Sequence, residues 1–469
     1  MDEDGNNRTN GKDGNDRVEG ADRVDRTDRV DRTDGADGAD RTDGADGADG
    51  ADRTDRKDLS RLLPPLVLGA MLNPLNSSML STALMQLTHS FGRDVSAGAL
   101  LITPLYITAM IGQPLMGRLA DRYSPKLINY LGLGLVTVAV IIGMAASSFD
   151  WLIVSRVILG LGTSANYPSA IAILRRYYAE KGLALPRSAL GWMTVGGQVS
   201  AMLGPVIGGL LTDWWGWQGI FLINIPLVLV VAVLSRGLPR LERAPAVAVA
   251  GNGGKKPGMW RLFAQRPMLL LIYTQSIATG LIIYLTLYGV PQWLQGVQHY
   301  SPSRTGLILL PMSVVATLSS LLVSRWGSPA LTKWLTVGSA LASGCALFLL
   351  TAGTSVWGII GVGILLGLTT GVSSMAVQVS LNEEAPQELS GIAFGLFRTF
   401  IYVGAIVSGA LLKVIFHKGV TDGTFRQICW WFLYSALVMI VLYLPLLIGK
   451  RGRAEQPEDG GERKVNAAS

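Results

Sequence analysis

Two arginines and a set of amides and phenols lie inside long apolar segments of this chain. Arg156 and Arg398 each stand well within such a segment, and Asn76 lies in another. A guanidinium inside a membrane segment costs at least ~2.5–3.5 kcal/mol on insertion scales, so it normally faces a partner or a wet cavity. Because these segments carry no Asp or Glu at mid-depth, we expect an electropositive cavity for an anionic or zwitterionic ligand. The alternative is that nearby carbonyls and hydroxyls neutralise each arginine.

Amide and phenol side chains at similar depths can bind a solute by hydrogen bonds and stacking. Any single one of them is more simply explained by packing. The candidate cavity residues are Asn73, Asn76, Tyr167, Gln198, Tyr273, Gln275, Tyr284, Gln378 and Tyr402. The chain has no glycine–lysine phosphate loop, nucleophile elbow or histidine–carboxylate cluster, so the sequence predicts no enzyme activity, no cofactor and no metal site.

Membrane-spanning helices are the elements expected to position these residues. Of the 469 residues, 49% are hydrophobic and only 16% are charged, whereas about a quarter of the residues in soluble domains are charged. A segment of about 20 apolar residues can cross ~30 Å of hydrocarbon. Twelve such segments lie near 62–87, 97–117, 127–147, 151–174, 189–211, 219–235, 268–293, 304–324, 331–352, 355–379, 389–416 and 428–448.

Six apolar segments are followed by a polar, basic stretch and then by six more apolar segments. This order predicts an all-α integral membrane protein with about twelve transmembrane helices in two pseudo-symmetric six-helix bundles. An aspartate at every third position from Asp22 to Asp58 leaves too little apolar surface for a core. The expected regions are a disordered cytoplasmic tail (1–58), a first bundle (59–237), a cytoplasmic linker (238–266), a second bundle (267–449) and a cytoplasmic tail (450–469).

Basic residues mark one side of the membrane. Lys and Arg cluster in alternate connections and after the last segment, so the positive-inside rule places both termini in the cytoplasm. The net charge of +7 reflects the same excess and does not indicate nucleic acid. We therefore expect a multi-pass protein of the plasma membrane with the lipid bilayer as its surroundings, and a monomer.

The connection after the second segment carries a charged motif that runs from Gly117 through Asp121 and Arg122 to Lys126. The glycine lets a neighbouring helix approach closely, and the aspartate can cap a helix and pair with a neighbouring arginine. Such a charge latch would hold one face of the protein shut and release it when the two halves move.

The fifth segment carries a second motif, which consists of Gly191, Gly204, Pro205, Gly208 and Gly209. Glycines at steps of about four expose one smooth helix face, against which another helix can pack closely. The proline bends the helix axis. The motif therefore predicts a helix that packs tightly and is bent.

Both motifs resemble signatures of the major facilitator superfamily, as does Arg156 with the glycines that follow it, Gly160 and Gly162. The fifth-segment motif is similar to that of the drug:proton antiporter branch, and the resemblance extends over about 60–448. It implies a major facilitator fold, a small-molecule substrate, alternating access between the halves, export as the direction and protons as the coupling ion.

Asn76 departs from the family pattern, in which an aspartate stands at this position. A membrane carboxylate can bind the exchanged proton because burial lifts its pKa toward physiological pH, whereas asparagine cannot titrate. Proton coupling is thus implied by the family and not by the residues of this chain. Two alternatives remain open: uptake or facilitated passage of a metabolite, and a membrane sensor that no longer transports.

Overall fold

Every regular element in the described part of the chain is helical. The computed structural model describes residues 43–183, 185–239, 267–326, 328–384 and 390–454. The chain divides into two compact units, Met1–Thr54 and Asp55–Ser469. The helices are α1 (Asp43–Ser90), α2 (Ala99–Arg122), α3 (Pro125–Met144), α4 (Phe149–Glu180), α5 (Arg187–Trp215), α6a (Gly219–Leu222), α6b (Asn224–Ser235), α7 (Pro267–Gly296), α8 (Pro302–Trp326), α9 (Pro329–Leu347), α10 (Val356–Glu384), α11 (Ser390–Ile415) and α12 (Asp422–Ala454).

Each of the twelve apolar segments coincides with one helix or, in one case, with a broken helix. Among the described residues, nine helices are long and apolar enough to cross a membrane. The sixth segment is interrupted between α6a and α6b at Ile223. Pro226 has no N–H to donate to the carbonyl of Leu222, which explains a break at this point. The prediction of about twelve spanning helices is confirmed.

The surface of the helices is apolar, as a bilayer requires. Many large apolar side chains are exposed along the helices, among them Ile111, Leu229 and Val414. Exposed tryptophans lie near the helix ends on both sides of the predicted membrane, as in the aromatic belts of membrane proteins. They are Trp151, Trp214, Trp215, Trp357, Trp430 and Trp431 at the predicted outer side, and Trp192 and Trp334 at the predicted cytoplasmic side.

The helix pairs repeat between a first half (α1 to α6b) and a second half (α7 to α12). The pairs α2–α4 and α3–α4 of the first half have counterparts in α8–α10 and α9–α10. Between the halves, α5 packs on α8 and α11 packs on α2. Exchanging each helix for its counterpart in the other half, α5 for α11 and α8 for α2, maps one contact onto the other. This is the pattern of two parallel repeats related by an axis along the membrane normal.

The halves touch closely at the predicted outer end. A Cβ added to Gly209 on α5 would collide with the carbonyl oxygen of Pro302, and one added to Gly306 on α8 would collide with that of Pro205. The Asp213 carboxylate also accepts hydrogen bonds from the amide nitrogen (3.0 Å) and the hydroxyl of Ser303. The first turn of α8 is therefore capped by a residue of the other half.

The predicted region boundaries lie partly outside the described residues. Helix α1 begins at Asp43, within the stretch 1–58 for which a disordered tail is predicted. Residues 1–42, 240–266 and 455–469 lie outside the described residues, and the bundle boundaries stay predictions.

Candidate solute site between the two halves

A cluster of four tyrosines joins the halves near the middle of the described helices. Tyr106 of α2 packs against Tyr284 of α7, with ring centroids 4.6 Å apart, and against Tyr402 of α11, at 5.5 Å. The hydroxyls of Tyr106 and Tyr288 are 3.2 Å apart. Tyr288 donates to the Ser77 carbonyl at 3.1 Å, so Tyr106 is the donor to Tyr288. One phenol of the first half is thus surrounded by three of the second.

A glutamine of the first half extends this cluster. Gln113 of α2 donates from Nε2 to the Tyr402 hydroxyl at 2.8 Å. Tyr106 and Gln113 are seven residues apart on α2, and Tyr284 and Tyr288 are four apart on α7, so each pair lies on one helix face. The arrangement brings aromatic faces and hydroxyls together at the contact between the halves.

Arg398 of α11 lies beside the cluster and contacts the other half. Its guanidinium carbon is 4.2 Å from the ring centroid of Tyr167 on α4. The guanidinium also lies within electrostatic range of Tyr402 and Tyr284. A cation over an aromatic face is stabilised by the ring quadrupole, though the ring does not neutralise its charge. Arg398 thus brings a positive charge to the contact between the halves.

Arg156 of α4 is buried on the other side of the cluster, with 1% of its surface exposed. Its guanidinium carbon is 5.0 Å from the ring centroid of Phe221, and Tyr106 and Tyr288 lie within electrostatic range of it. Nε and Nη2 are enclosed, with no hydrogen-bond partner in the described part of the chain. A buried donor normally has a partner, so this guanidinium is an unusual feature of the site.

Asn76 forms a closed pair with Asn224 instead of facing the tyrosines. Its Nδ2 donates to the Asn224 Oδ1 at 2.6 Å and to the Leu72 carbonyl at 2.8 Å. Asn224 donates back to the Asn76 Oδ1 at 2.9 Å. Both side chains are buried. The position at which the family has a titratable acid is therefore occupied by a neutral, reciprocal amide contact between α1 and α6b.

Carboxylates are placed only at the margins of the spanning region. Beyond the N-terminal stretch of α1, every described Asp or Glu lies within two residues of a helix end or in a connection. They are Asp94, Asp121, Asp150, Glu180, Asp213, Glu383, Glu384 and Asp422. Among the residues described, the two arginines thus have no carboxylate at their own depth.

The remaining candidate cavity residues lie in several places. Asn73 donates to the Thr163 hydroxyl at 2.8 Å, which joins α1 to α4. Gln198 accepts a hydrogen bond from Ser320 at 2.9 Å across the halves. Gln378 donates to a carbonyl of its own helix at 3.2 Å. Gln275 is fully buried in α7.

Only part of the predicted set is therefore brought together. Tyr167, Tyr284, Tyr402 and Arg398 converge, whereas Asn76 pairs within the first half. Tyr273 stacks on Phe400 with ring centroids 5.0 Å apart, inside the second half. Sequence reasoning missed Tyr106, Tyr288 and Gln113, although their helical spacing was a usable signal.

The motif after α2 forms a different network from the charge latch predicted for it. Arg176 of α4 donates to the carbonyls of Ala120 and Asp121, at 3.0 and 2.7 Å, and caps the end of α2. Lys126 donates to the carbonyls of Arg236 and Leu238, at 2.9 and 2.6 Å, and caps the end of α6b. Cations stabilise helix C-termini because the exposed carbonyls carry partial negative charge.

The other residues of this motif make few contacts. A Cβ on Gly117 would lie 3.6 Å from Pro168, which is ordinary contact. The guanidinium of Arg122 lies over the adjacent Tyr123 ring at 5.7 Å. In this conformation the motif thus holds the first half together through backbone carbonyls.

The glycines of the α5 motif contact two neighbours rather than one. A Cβ on Gly208 would lie 2.5 Å from the Met79 carbonyl oxygen of α1, and one on Gly204 would collide with Ser78. Gly209 faces α8, as described above. At Gly191 an added Cβ would meet nothing within 4 Å. The motif therefore packs α5 against both α1 and the opposite half, and Gly191 takes no part in this packing.

These features define a class of protein: a multi-pass helical membrane protein with a polar, aromatic cluster enclosed between two similar halves. The family model for the Major Facilitator Superfamily matches residues 66–409. The chain belongs to this superfamily of transporters. The resemblance noted in the α2 and α5 motifs is thereby confirmed.

Known relatives agree with this assignment. The methyl viologen resistance protein SmvA of Salmonella typhimurium is 28% identical over 395 residues, which cover 71% of this chain and 79% of that protein. The tetracenomycin C resistance and export protein of Streptomyces glaucescens is 28% identical over 428 residues, which cover 76% and 75%. A crystal structure of a bacterial homologue of the human lysosomal transporter Spinster, inward-facing and unoccupied, superposes with a TM-score of 0.68 at 16% identity, covering 84% of this chain and 97% of that one.

Proposed function

We propose that the protein exports a small organic solute across the plasma membrane by alternating access, with the solute bound at the tyrosine cluster. The observation that carries this proposal is the composition of the cluster: Tyr106 comes from one half, and Tyr284, Tyr288 and Tyr402 from the other. A site whose walls belong to different halves opens or closes when the halves move. This is the arrangement expected of a transporter with its site at the repeat interface.

The contacts between the halves suggest which side is shut. The close approaches of Gly209 and Gly306 and the Asp213–Ser303 hydrogen bonds all lie where α5 ends and α8 begins. The basic connections place this end outside. The conformation described here is then closed to the exterior, and export requires these contacts to break.

Export is favoured over uptake by two arguments. The α5 motif is similar to that of drug:proton antiporters, and the Streptomyces relative is named for resistance and export. Uptake or facilitated passage of a metabolite is the runner-up within transport. A transport-inactive sensor is the rival of another class, which the neutral Asn76–Asn224 pair favours because such a pair cannot carry a proton.

A cross-link between the halves tests alternating access directly. Asp213→Cys and Ser303→Cys, introduced together after replacement of Cys345 and Cys429, place two thiols across the outer contact. The full chain is reconstituted in proteoliposomes and assayed with methyl viologen, tetracenomycin C and carboxyfluorescein as probe solutes. Oxidation should abolish carrier-dependent flux and reduction should restore it, whereas each single variant stays active after oxidation. Flux that continues in the cross-linked protein would overturn the proposal.

Proton antiport is the coupling that the family resemblance implies, and it needs its own test. An imposed pH gradient is applied to wild-type protein and to the Asn76→Asp variant. If the gradient drives wild-type flux, a carboxylate outside the membrane centre carries the proton. If only the variant responds, the wild-type carrier lacks this coupling. Absence of flux for every probe, with and without gradients, would favour the sensor.

A further inference from the structure

We propose that the exported solute is an organic anion, bound through Arg156 and Arg398, and that the membrane potential drives its exit without an exchanged proton. The inference rests on the proposed export function and adds the charge of the substrate and the source of energy. It starts from a charge imbalance: two guanidiniums lie at the site, while the described carboxylates lie at the helix ends.

Arg156 provides the stronger evidence for an anion. Its side chain is 99% buried, and two of its three nitrogens have no hydrogen-bond partner in the described part of the chain. The Phe221 ring beneath it can stabilise the cation but cannot accept its N–H groups as a carboxylate does. Phe221 also accepts, through its carbonyl, a hydrogen bond of 3.3 Å from Asn224. The neutral amide pair and the Arg156 guanidinium thus both adjoin Phe221.

The two arginines bracket the tyrosines along the membrane normal. Arg398 is eight residues from the start of α11, which places it about 12 Å from the predicted cytoplasmic end of this helix. Arg156 is seven residues from the start of α4, which places it about 10 Å from the predicted outer end of that helix. Tyr284 lies near Arg398, Tyr288 lies near Arg156, and Tyr106 contacts both tyrosines. An anion with an aromatic body would meet a cation at each level and aromatic faces between them.

The charge balance of a transport cycle follows from this arrangement. One anion leaving the cell moves one negative charge outward, and the guanidiniums stay with the protein. For one charge, an inside-negative potential of about 59 mV maintains a roughly tenfold higher concentration outside. The potential also favours the return of the empty, positively charged site toward the cytoplasm. No step needs a group that binds and releases a proton.

The decisive experiment separates voltage from pH. Proteoliposomes containing the full chain are loaded with carboxyfluorescein, an aromatic anion, or with methyl viologen, a cation. Potassium gradients with valinomycin set the potential at equal pH, and a second series sets a pH gradient at zero potential. We expect the equilibrium ratio of carboxyfluorescein concentrations across the membrane to change at least about tenfold for each 59 mV, because each molecule carries at least one negative charge. This ratio should stay unchanged under the pH gradient, and carboxyfluorescein flux should exceed methyl viologen flux.

Each other result overturns a defined part of the inference. Flux that follows the pH gradient at zero potential indicates proton antiport, and transport of the cation alone refutes the anionic substrate. In both cases the proposed export function survives. Absence of carrier-dependent flux for both probes and for tetracenomycin C refutes export and this inference together. Oxidation of the Asp213→Cys, Ser303→Cys variant then has no flux to abolish.

Substitutions at and near Arg156 test whether this residue binds the anion. Arg156→Gln should weaken carboxyfluorescein binding to the detergent-purified protein about tenfold or more, because a charged hydrogen-bond donor is lost. Arg156→Lys keeps the charge and should lose less. Asn76→Asp supplies a negative charge at the amide pair that adjoins Phe221 and should also weaken anion binding, with Arg156 intact. Unchanged binding in Arg156→Gln and in Asn76→Asp, with unchanged melting temperatures, would refute the role of Arg156.

Discussion

Gly209 is the residue at which a single added methyl group should change the conformational balance of this transporter. A Cβ there would lie roughly 1 Å closer to the Pro302 carbonyl oxygen than the 3.4 Å at which ordinary contact begins. The obstacle is backbone, which cannot rotate away as a flexible side chain can. Gly209→Ala must therefore push α5 and α8 apart at this end.

The size of the effect follows from the cost of overpacking. Inserting a methyl group into a close-packed contact costs about 1–3 kcal/mol. Because this contact joins the two halves, the cost falls on the conformation in which they touch here and is relieved when they separate. A difference of 1–3 kcal/mol shifts the ratio of the two conformations by roughly 5- to 150-fold.

Cysteine accessibility measures this shift. Ile102 is fully buried on α2, beside the contact of this helix with Gly409 of α11 at the same end. Ile102→Cys is introduced after replacement of Cys345 and Cys429, and the rate of maleimide labelling is measured in detergent. Gly209→Ala should raise this rate at least about fivefold, because the reporter becomes accessible only when the halves separate.

Two other glycines provide a matched control and an equivalent substitution on the opposite helix. Gly191→Ala lies in the same helix and motif, but its added Cβ meets nothing within 4 Å, so labelling should stay unchanged. Gly306→Ala should reproduce the effect of Gly209→Ala, since its Cβ collides with the Pro205 carbonyl from the opposite side. Equal labelling of the Gly209 and Gly191 variants would refute the reasoning.

Two further predictions concern the internal hydrogen bonds of the first half. Arg176→Met removes the cap on the last carbonyls of α2 and should lower stability by about 1–2 kcal/mol, seen as a lower melting temperature in detergent, with partial recovery in Arg176→Lys. Asn224→Leu leaves the buried Asn76 amide without its partner and should cost about 1–3 kcal/mol. The Asn76→Leu, Asn224→Leu double variant should cost less than the sum of the singles, and additive losses would show that the two amides are not coupled.

Much of the fold was predictable from local composition. Apolar stretches of about 20 residues locate the spanning helices, because each must satisfy its own backbone hydrogen bonds within the lipid. Arg156 and Arg398 could be recognised as exceptional for the same reason, since any charge inside such a stretch requires an explanation. The glycine spacing of α5 likewise indicated close packing, though it did not identify α8 as one of the neighbours.

What the sequence by itself determined is therefore the number of spanning helices, the membrane environment and the two costly charges, because each depends on residues close together in the chain. Tertiary structure alone decided that Asn76 meets Asn224, 148 residues away, and that Tyr106 meets Tyr288, 182 residues away. Such contacts depend on how distant helix faces fit together, which no local period encodes. The same packing leaves two nitrogens of Arg156 without a partner in the described part of the chain, and this is the feature from which the anion proposal starts.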